Sequence, residues 1–138
     1  MYKEWIISAV LIVSILCANA IAENKITKSV DQMNEKLNTI KQTMLSAIEE
    51  NKKIDERNAN ETIEKQMKEI REYWNAQYSI LAYFIEHDEL EKVKTVLFEL
   101  EGNIIVQDYE QAMPNLENAS FILQHIKEKN KFMLRNIF

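Results

Sequence analysis

Three adjacent side chains that can serve acid–base or metal chemistry lie in mid-chain: His87, Asp88 and Glu89, with His125 as a more distant candidate. Groups that share one site must converge, and no His-x-x-x-His or Glu-x-x-His spacing places two ligands on one helix face here. A structural interpretation fits better: Asp88 is a helix N-cap, Glu91 is its return partner, and Glu89 suits the first turn. We therefore expect no catalytic residue and no metal at this corner.

Other catalytic motifs are equally scarce. The chain has one glycine and one cysteine, and it contains no Ser-His-Asp arrangement, glycine-rich phosphate loop or cysteine nucleophile. Cys17, the single cysteine, lies in an apolar N-terminal stretch, so the rest of the chain has no thiol. We expect a protein that is not an enzyme and that needs no cofactor.

The apolar stretch from Trp5 to Ala22 contains no charged residue. As a helix it is roughly 27 Å long, close to the roughly 30 Å of a bilayer's hydrocarbon core. It therefore predicts a membrane anchor, numbered 1–22, that contacts lipid through its large apolar side chains. These are Trp5, Ile6, Ile7, Val10, Leu11, Ile12, Val13, Ile15 and Leu16.

A cleaved signal peptide is the alternative. Cleavage after Ala20 or Ala22 would satisfy the small-residue rule, although Lys3 is the only basic side chain ahead of the apolar stretch. A lipid anchor on Cys17 is disfavoured because the bulky Leu16 precedes it. We favour a retained anchor with the remainder of the chain outside the cytoplasm, and a secreted protein as the alternative.

Composition predicts an all-α protein. One glycine and one proline among 138 residues leave few tight turns, and Lys, Glu, Ile and Leu favour long helices. Residues 23–138 are enough for a single domain. The net charge of −5, with both signs interspersed, argues against nucleic acid as a partner.

The first helix after the anchor, near residues 26–57, carries a narrow apolar seam of the coiled-coil kind. The seam consists of Ile26, Val30, Met33, Leu37, Ile40, Met44 and Ala47. Such a seam suits self-association or a helical protein partner. On this interpretation Leu37→Asp weakens self-association and leaves the rest of the chain folded.

Three more helices follow, near residues 60–86, 89–106 and 109–135. Their predicted starts are capping boxes at Asn58, Asp88 and Asp108, each with Glu or Gln three residues later. Pro114 predicts a kink or a late start in the last helix. Short connections make neighbours antiparallel, so we expect a helical hairpin pair or a four-helix bundle.

An aromatic-rich stripe on the predicted helix near residues 60–86 has two interpretations. It comprises Tyr73, Trp74, Tyr78, Tyr83 and Phe84. At helical spacing it is expected to belong to the core, whereas an open apolar pocket beside it would indicate a ligand slot.

The chain resembles a bacterial family known as domain of unknown function 4363. The resemblance rests on the stretches "FIEHDELEKV" and "LENASFILQHIKEKNKFMLRNIF" together with the apolar N-terminus. Its most specific parts are the corner His87, Asp88 and Glu89 and the tail that begins at His125 and ends with Asn136, Ile137 and Phe138. The resemblance implies a short helical protein that is anchored in a membrane or exported, and it implies no activity.

Two functions fit these patterns. The first is a membrane-anchored, non-enzymatic interaction or structural module at the outer face of a bacterial membrane. The second is a ligand-binding, sensor-like bundle that acts through a separate membrane partner. A filled aromatic core favours the first, and an open apolar pocket with convergent polar groups favours the second.

Overall fold

The structure, a computed structural model, describes the backbone of residues 1–50 and 56–136 and the side chains of residues 1–49 and 57–131. Within these ranges the chain forms four α-helices and no strand. They are α1 (Tyr2–Glu50), α2 (Glu56–Leu81), α3 (His87–Ile105) and α4 (Tyr109–Asn136). The all-α prediction is confirmed.

The four helices form an antiparallel bundle. Ser29 of α1 lies opposite Gln77 of α2, whereas Gln32, further along α1, lies opposite Tyr73, which is earlier in α2. The bonds between α1 and α4, between α2 and α3, and between α3 and α4 follow the same reversed order. Each helix therefore packs beside the next, and α4 closes the bundle against α1.

The core of the bundle contains the seam of α1. Its residues from Ile26 to Met44 are at most 2% exposed, and they pack with apolar residues of α2, α3 and α4. The helices that cover the seam belong to the same chain. The seam is therefore not a free surface for a second copy. The expectation that Leu37→Asp weakens self-association and leaves the rest of the chain folded does not fit this packing.

The anchor and the first bundle helix are one continuous element. We expected an anchor numbered 1–22 that continues into a helix near residues 26–57, and the described part of α1 runs unbroken from Tyr2 to Glu50. Residues 51–55 lie outside the described part of the chain. Because no glycine or proline interrupts this stretch, nothing in the covalent chain forces a break at its polar boundary.

The predicted cap of α2 is wrong. This helix begins at Glu56, so Asn58 lies inside its first turn and is not the residue that precedes the helix. The helix also ends earlier than expected, at Leu81, because residues 82–85 form a tight turn.

The predicted cap of α3 is also wrong. The N-cap is Glu86, whose side chain makes no capping bond, and Asp88 and Glu89 lie in the first turn. Glu91 is not a return partner, because its carboxylate accepts a hydrogen bond from Tyr78 of α2 instead. A tertiary contact has taken the side chain on which the capping box depended.

The start of α4 differs from the late start that Pro114 suggested. Asp108 caps the helix: its Oδ1 accepts the backbone N–H of Gln111 at 3.1 Å. Pro114 lies inside α4, near its start, where its missing N–H costs the helix one bond, to the carbonyl of Glu110. The cap holds the start of the helix at Tyr109.

Candidate functional site

The apolar half of α1 projects from the bundle. Every side chain from Met1 to Cys17 is exposed, and the first core residue is Ile26. The nine predicted anchor residues are 41–79% exposed, with Leu16 least and Trp5 most exposed. In a soluble protein a helix this apolar is normally buried.

Length and composition make α1 the one helix of the described chain able to cross a membrane. None of its most apolar stretch is buried within the protein, which distinguishes it from a core helix. An exposed apolar helix near the N-terminus is a feature of membrane anchors and of signal sequences alike. The hydroxyl of Ser14 donates a hydrogen bond to the Val10 carbonyl oxygen at 2.8 Å. This polar group therefore has a partner within the apolar stretch, which a group inside the hydrocarbon core of a bilayer needs.

The three residues of the His-Asp-Glu corner face different neighbours. His87 approaches Tyr78 of α2, with 3.2 Å between its Nδ1 and the tyrosine Oη, and its side chain is 72% exposed. Glu89 turns to the opposite side and pairs with Lys129 of α4 at 3.6 Å. Asp88 is exposed in the first turn of α3. These side chains do not converge on a common centre.

His125 lies on α4 as an exposed residue. In the described residues, no group of three or more His, Cys, Asp or Glu side chains could hold a metal ion. Asn136 ends α4, its side chain is outside the described set, and Ile137 and Phe138 lie outside the described residues altogether. The candidate residues His87 and His125 therefore share no described contact.

Electrostatics at the corner stabilise the fold. The hydrogen bond from Tyr78 lowers the pKa of Glu91 and raises the pKa of the tyrosine hydroxyl. A hydrogen bond from Lys129 to Glu86, at 3.2 Å, raises the pKa of that lysine. These interactions join the start of α3 to α2 on one side and to α4 on the other.

Sequence reasoning did not find the two residues that organise this corner. From the sequence, Tyr78 is only one member of the aromatic stripe, and Lys129 is only one residue of the tail that begins at His125. The partners of these residues depend on which helices are adjacent and on how far each helix is shifted along its axis relative to its neighbour. Helical periodicity identifies an apolar face, but it does not give the height of one helix beside another.

The aromatic stripe divides between core and surface. Trp74 is 3% exposed and Tyr73 and Tyr78 are partly buried against the core, whereas Tyr83 is 86% exposed. Phe84 lies between these extremes at 40%. The expectation of a core stripe therefore holds for the part inside α2 and fails for the two residues of the following turn.

Two grooves on the bundle surface combine charged or polar side chains with some apolar surface. A groove of about 470 Å³ lies between α1 and α2, and another of about 600 Å³ lies between α2 and α3. The first is lined by Gln32, Glu35, Lys36, Thr39, Gln66, Glu69 and Tyr73. Both grooves are open to solvent, unlike the enclosed pocket typical of small-molecule sites.

Comparison with known proteins places the bundle in a family. No curated protein and no solved structure shows significant similarity to the chain. Residues 20–137 match the family described as Domain of unknown function (DUF4363), and this range contains the whole described bundle core. Since the match covers most of its length, the chain belongs to the DUF4363 family.

Proposed function

We propose that the chain is a single-pass, non-enzymatic membrane protein whose four-helix bundle stands at the outer face of the membrane as an interaction or structural module. The observation that carries the proposal is the contrast along α1. Its first part exposes an uncharged apolar surface, and its later part buries an apolar seam within the bundle.

The dimensions of α1 support this arrangement. The uncharged stretch from Trp5 to Ala22 is roughly 27 Å long as a helix, which nearly matches the hydrocarbon thickness of a bilayer. Glu23 is the first charged residue after it, and Ile26 opens the core only three residues later. An anchor retained on α1 would therefore hold the bundle directly at the membrane surface.

The bundle provides the interaction surface in this proposal. Because the seam of α1 is occupied by the chain's own helices, a helical protein partner or a second copy would bind the outer faces of the bundle or the anchor itself. Membrane lipid is the partner of the exposed apolar stretch. Nucleic acid is not a proposed partner, since acidic and basic residues are interspersed and the net charge is −5.

Fractionation of cells expressing a C-terminally tagged chain tests the proposal. We expect full-length protein that resists alkaline carbonate extraction and is cleaved by protease added outside the cell. A soluble product beginning at Ile21 or Glu23 would overturn the anchor and indicate secretion. Both products keep the core from Ile26 onward, so intact mass, and not folding, is the deciding measurement.

A charge variant sharpens this test. Ile12→Arg with Val13→Arg places two arginines at the centre of the apolar stretch, where each costs about 3 kcal/mol of insertion free energy. We expect loss of the carbonate-resistant fraction. Asn24→Arg is the matched control, because Asn24 is exposed on the same helix just beyond the apolar stretch. Equal extraction of both variants would contradict the anchor.

A further inference from the structure

We propose that the turn between α2 and α3 is a second membrane contact, in which Tyr83 and Phe84 lie in the headgroup region of the bilayer beside the point where α1 leaves it. The inference rests on the proposed function, because it requires the apolar part of α1 to stay in the membrane. It adds a defined orientation of the bundle on the bilayer.

The register of α1 and α2 gives the height of this turn. Ser29 Oγ donates to Gln77 Oε1 at 3.0 Å, so these residues are level in two antiparallel helices. Counting four residues from each toward the same end of the bundle reaches Lys25 in α1 and Leu81 in α2. The turn of residues 82–85 follows and is therefore level with residues 21–24 of α1, where the apolar stretch ends.

The turn displays apolar surface where a soluble protein would place polar residues. Tyr83 is 86% exposed, and Phe84 and Ile80 are 40% and 41% exposed. Ile85, at 8%, packs into the core and fixes the turn to the bundle. Tyrosine and tryptophan side chains are enriched at the boundary between lipid and water, because they combine an apolar ring with a polar group.

A second aromatic group lies at the opposite end of the apolar stretch. Trp5 is 79% exposed, and Tyr2, one turn before it, is 87% exposed. The stretch of α1 from Trp5 to Ala22 is roughly 27 Å long. The two aromatic groups are thus separated by nearly the hydrocarbon thickness of roughly 30 Å, as the two interfacial belts of a membrane protein are.

Helix tilt does not remove the turn from the interface. Packed helices lie roughly 8–10 Å apart, and a tilt of roughly 20° moves a point at that distance up or down by about 3 Å. Each headgroup region is roughly 5–7 Å thick. The turn therefore stays within reach of the headgroups for an ordinary tilt in either direction.

The charges around the turn are compatible with a zwitterionic surface. Lys129 pairs with both Glu86 and Glu89, and Lys92 also pairs with Glu89, so the charges beside Phe84 are largely neutralised within the chain. The exposed charges nearby have both signs, Asp88 and Lys131. The occupant that this end of the bundle fits is a phosphatidylcholine-like lipid surface, since no single sign of charge dominates.

Spin labelling of the full-length chain in phosphatidylcholine vesicles tests the contact. In a Cys17→Ala background, a nitroxide is attached to Tyr83→Cys, and its accessibility to oxygen is compared with that to a water-soluble nickel chelate. Ile12→Cys is the reference for lipid. Phe121→Cys is the matched control: Phe121 is 72% exposed and, beside the Ser120–Asn34 bond, lies well above the apolar stretch.

We expect the oxygen-to-nickel accessibility ratio at Tyr83 to lie between the high ratio of Ile12 and the low ratio of Phe121. A Tyr83 ratio equal to that of Phe121, with Ile12 in lipid, would overturn the contact and leave the anchor intact. Ile12 in water would overturn the anchor and the contact together. Shielding of Tyr83 from both reagents would indicate a protein neighbour, such as a second copy, and would also overturn the lipid contact.

Discussion

The hydroxyl of Tyr78 donates a hydrogen bond to Glu91 Oε1 at 2.6 Å and thereby joins α2 to α3 across their turn. His87 Nδ1 lies 3.2 Å from the same hydroxyl oxygen. Because the tyrosine proton is directed to Glu91, the tyrosine oxygen faces His87 Nδ1 as an acceptor and can take a hydrogen bond from the tautomer that carries its proton on Nδ1. The three side chains form a short chain of hydrogen bonds that ends on a carboxylate.

This relationship predicts a pH-dependent contribution of Tyr78 to stability. The bond lowers the pKa of Glu91 below its ordinary value of 4.5. The ionised carboxylate therefore contributes to the stability of the folded state above pH 4.5, and this contribution is lost as the pH falls through the lowered pKa. Tyr78→Phe should therefore lower the urea midpoint at pH 7, and the difference from wild type should shrink toward pH 3. Urea unfolding curves between these pH values measure it.

A second tyrosine provides the control. The hydroxyl of Tyr73 donates to Gln32 Oε1 at 2.7 Å, and this amide oxygen does not titrate. The effect of Tyr73→Phe on the urea midpoint should therefore stay constant over the same pH range. A constant effect of Tyr78→Phe as well would show that the charge of Glu91 contributes nothing.

Leu37→Asp is predicted to unfold the bundle. Leu37 is fully buried at the centre of the core, and burying a carboxylate there costs about 4 kcal/mol or more, a large part of the roughly 5–15 kcal/mol that stabilises a typical domain. Circular dichroism should show loss of cooperative thermal unfolding or of helix itself.

Asn38→Asp is the matched control for Leu37→Asp, because the neighbouring Asn38 is exposed on the same helix. Its effect should stay within about 0.5 kcal/mol. A folded Leu37→Asp protein with reduced oligomer mass would contradict the packing in the bundle and would restore the seam as an interface between copies.

The number, type and order of the helices follow from periodicity. The seam from Ile26 to Met44, the scarcity of glycine and proline, and the short connections between the helices predict antiparallel helices with buried apolar faces. Periodicity could not tell whether the seam pairs with another chain or with this one, because an apolar stripe has the same spacing in both cases. Whether the seam packs within the chain depends on whether the apolar faces of α2 and α4 together cover it, and they do.

The ends of the helices were harder to predict. Asp88 and Asp108 have the same spacing to Glu or Gln, yet only Asp108 acts as the cap. Asp88 lies inside the first turn because α3 begins at His87, and the side chain of Glu91 is bound by Tyr78. The exposed pair Tyr83 and Phe84 was assigned to the core for a related reason: the apolar pattern of α2 continues past Leu81, where the backbone turns.

These two aspartates form a matched pair for mutation. Asp108→Ala removes the acceptor of the Gln111 N–H and should lower the free energy of unfolding by about 1 kcal/mol. Asp88→Ala removes only an exposed charge from the first turn of α3 and should cost about 0.5 kcal/mol or less. Urea unfolding at pH 7 measures both changes. A larger loss for Asp88→Ala would place the cap of α3 at Asp88 after all.

Gly102→Ala is predicted to stabilise the bundle. Gly102 lies inside α3, and a methyl group added there meets no atom within 4 Å. Alanine reduces the backbone freedom of the unfolded chain without a clash, and the expected gain is about 0.5–1 kcal/mol. Thermal unfolding should shift upward by about 3 °C. A downward shift would mean that the space beside Gly102 is occupied in solution.

The turn between α3 and α4 lacks a glycine where its backbone favours one. Gln107 has φ of 57°, and the bonds Gln107 N–H to the Ile104 oxygen and Asp108 N–H to the Asn103 oxygen form a Schellman ending. In this left-handed conformation a Cβ crowds the following carbonyl, so Gln107→Gly should raise the free energy of unfolding by about 1 kcal/mol. Gln107→Ala, which keeps the Cβ, should give no such gain. Urea unfolding of both variants measures the difference, and equal stability of the two would mean that Gln107 is not strained by its left-handed conformation.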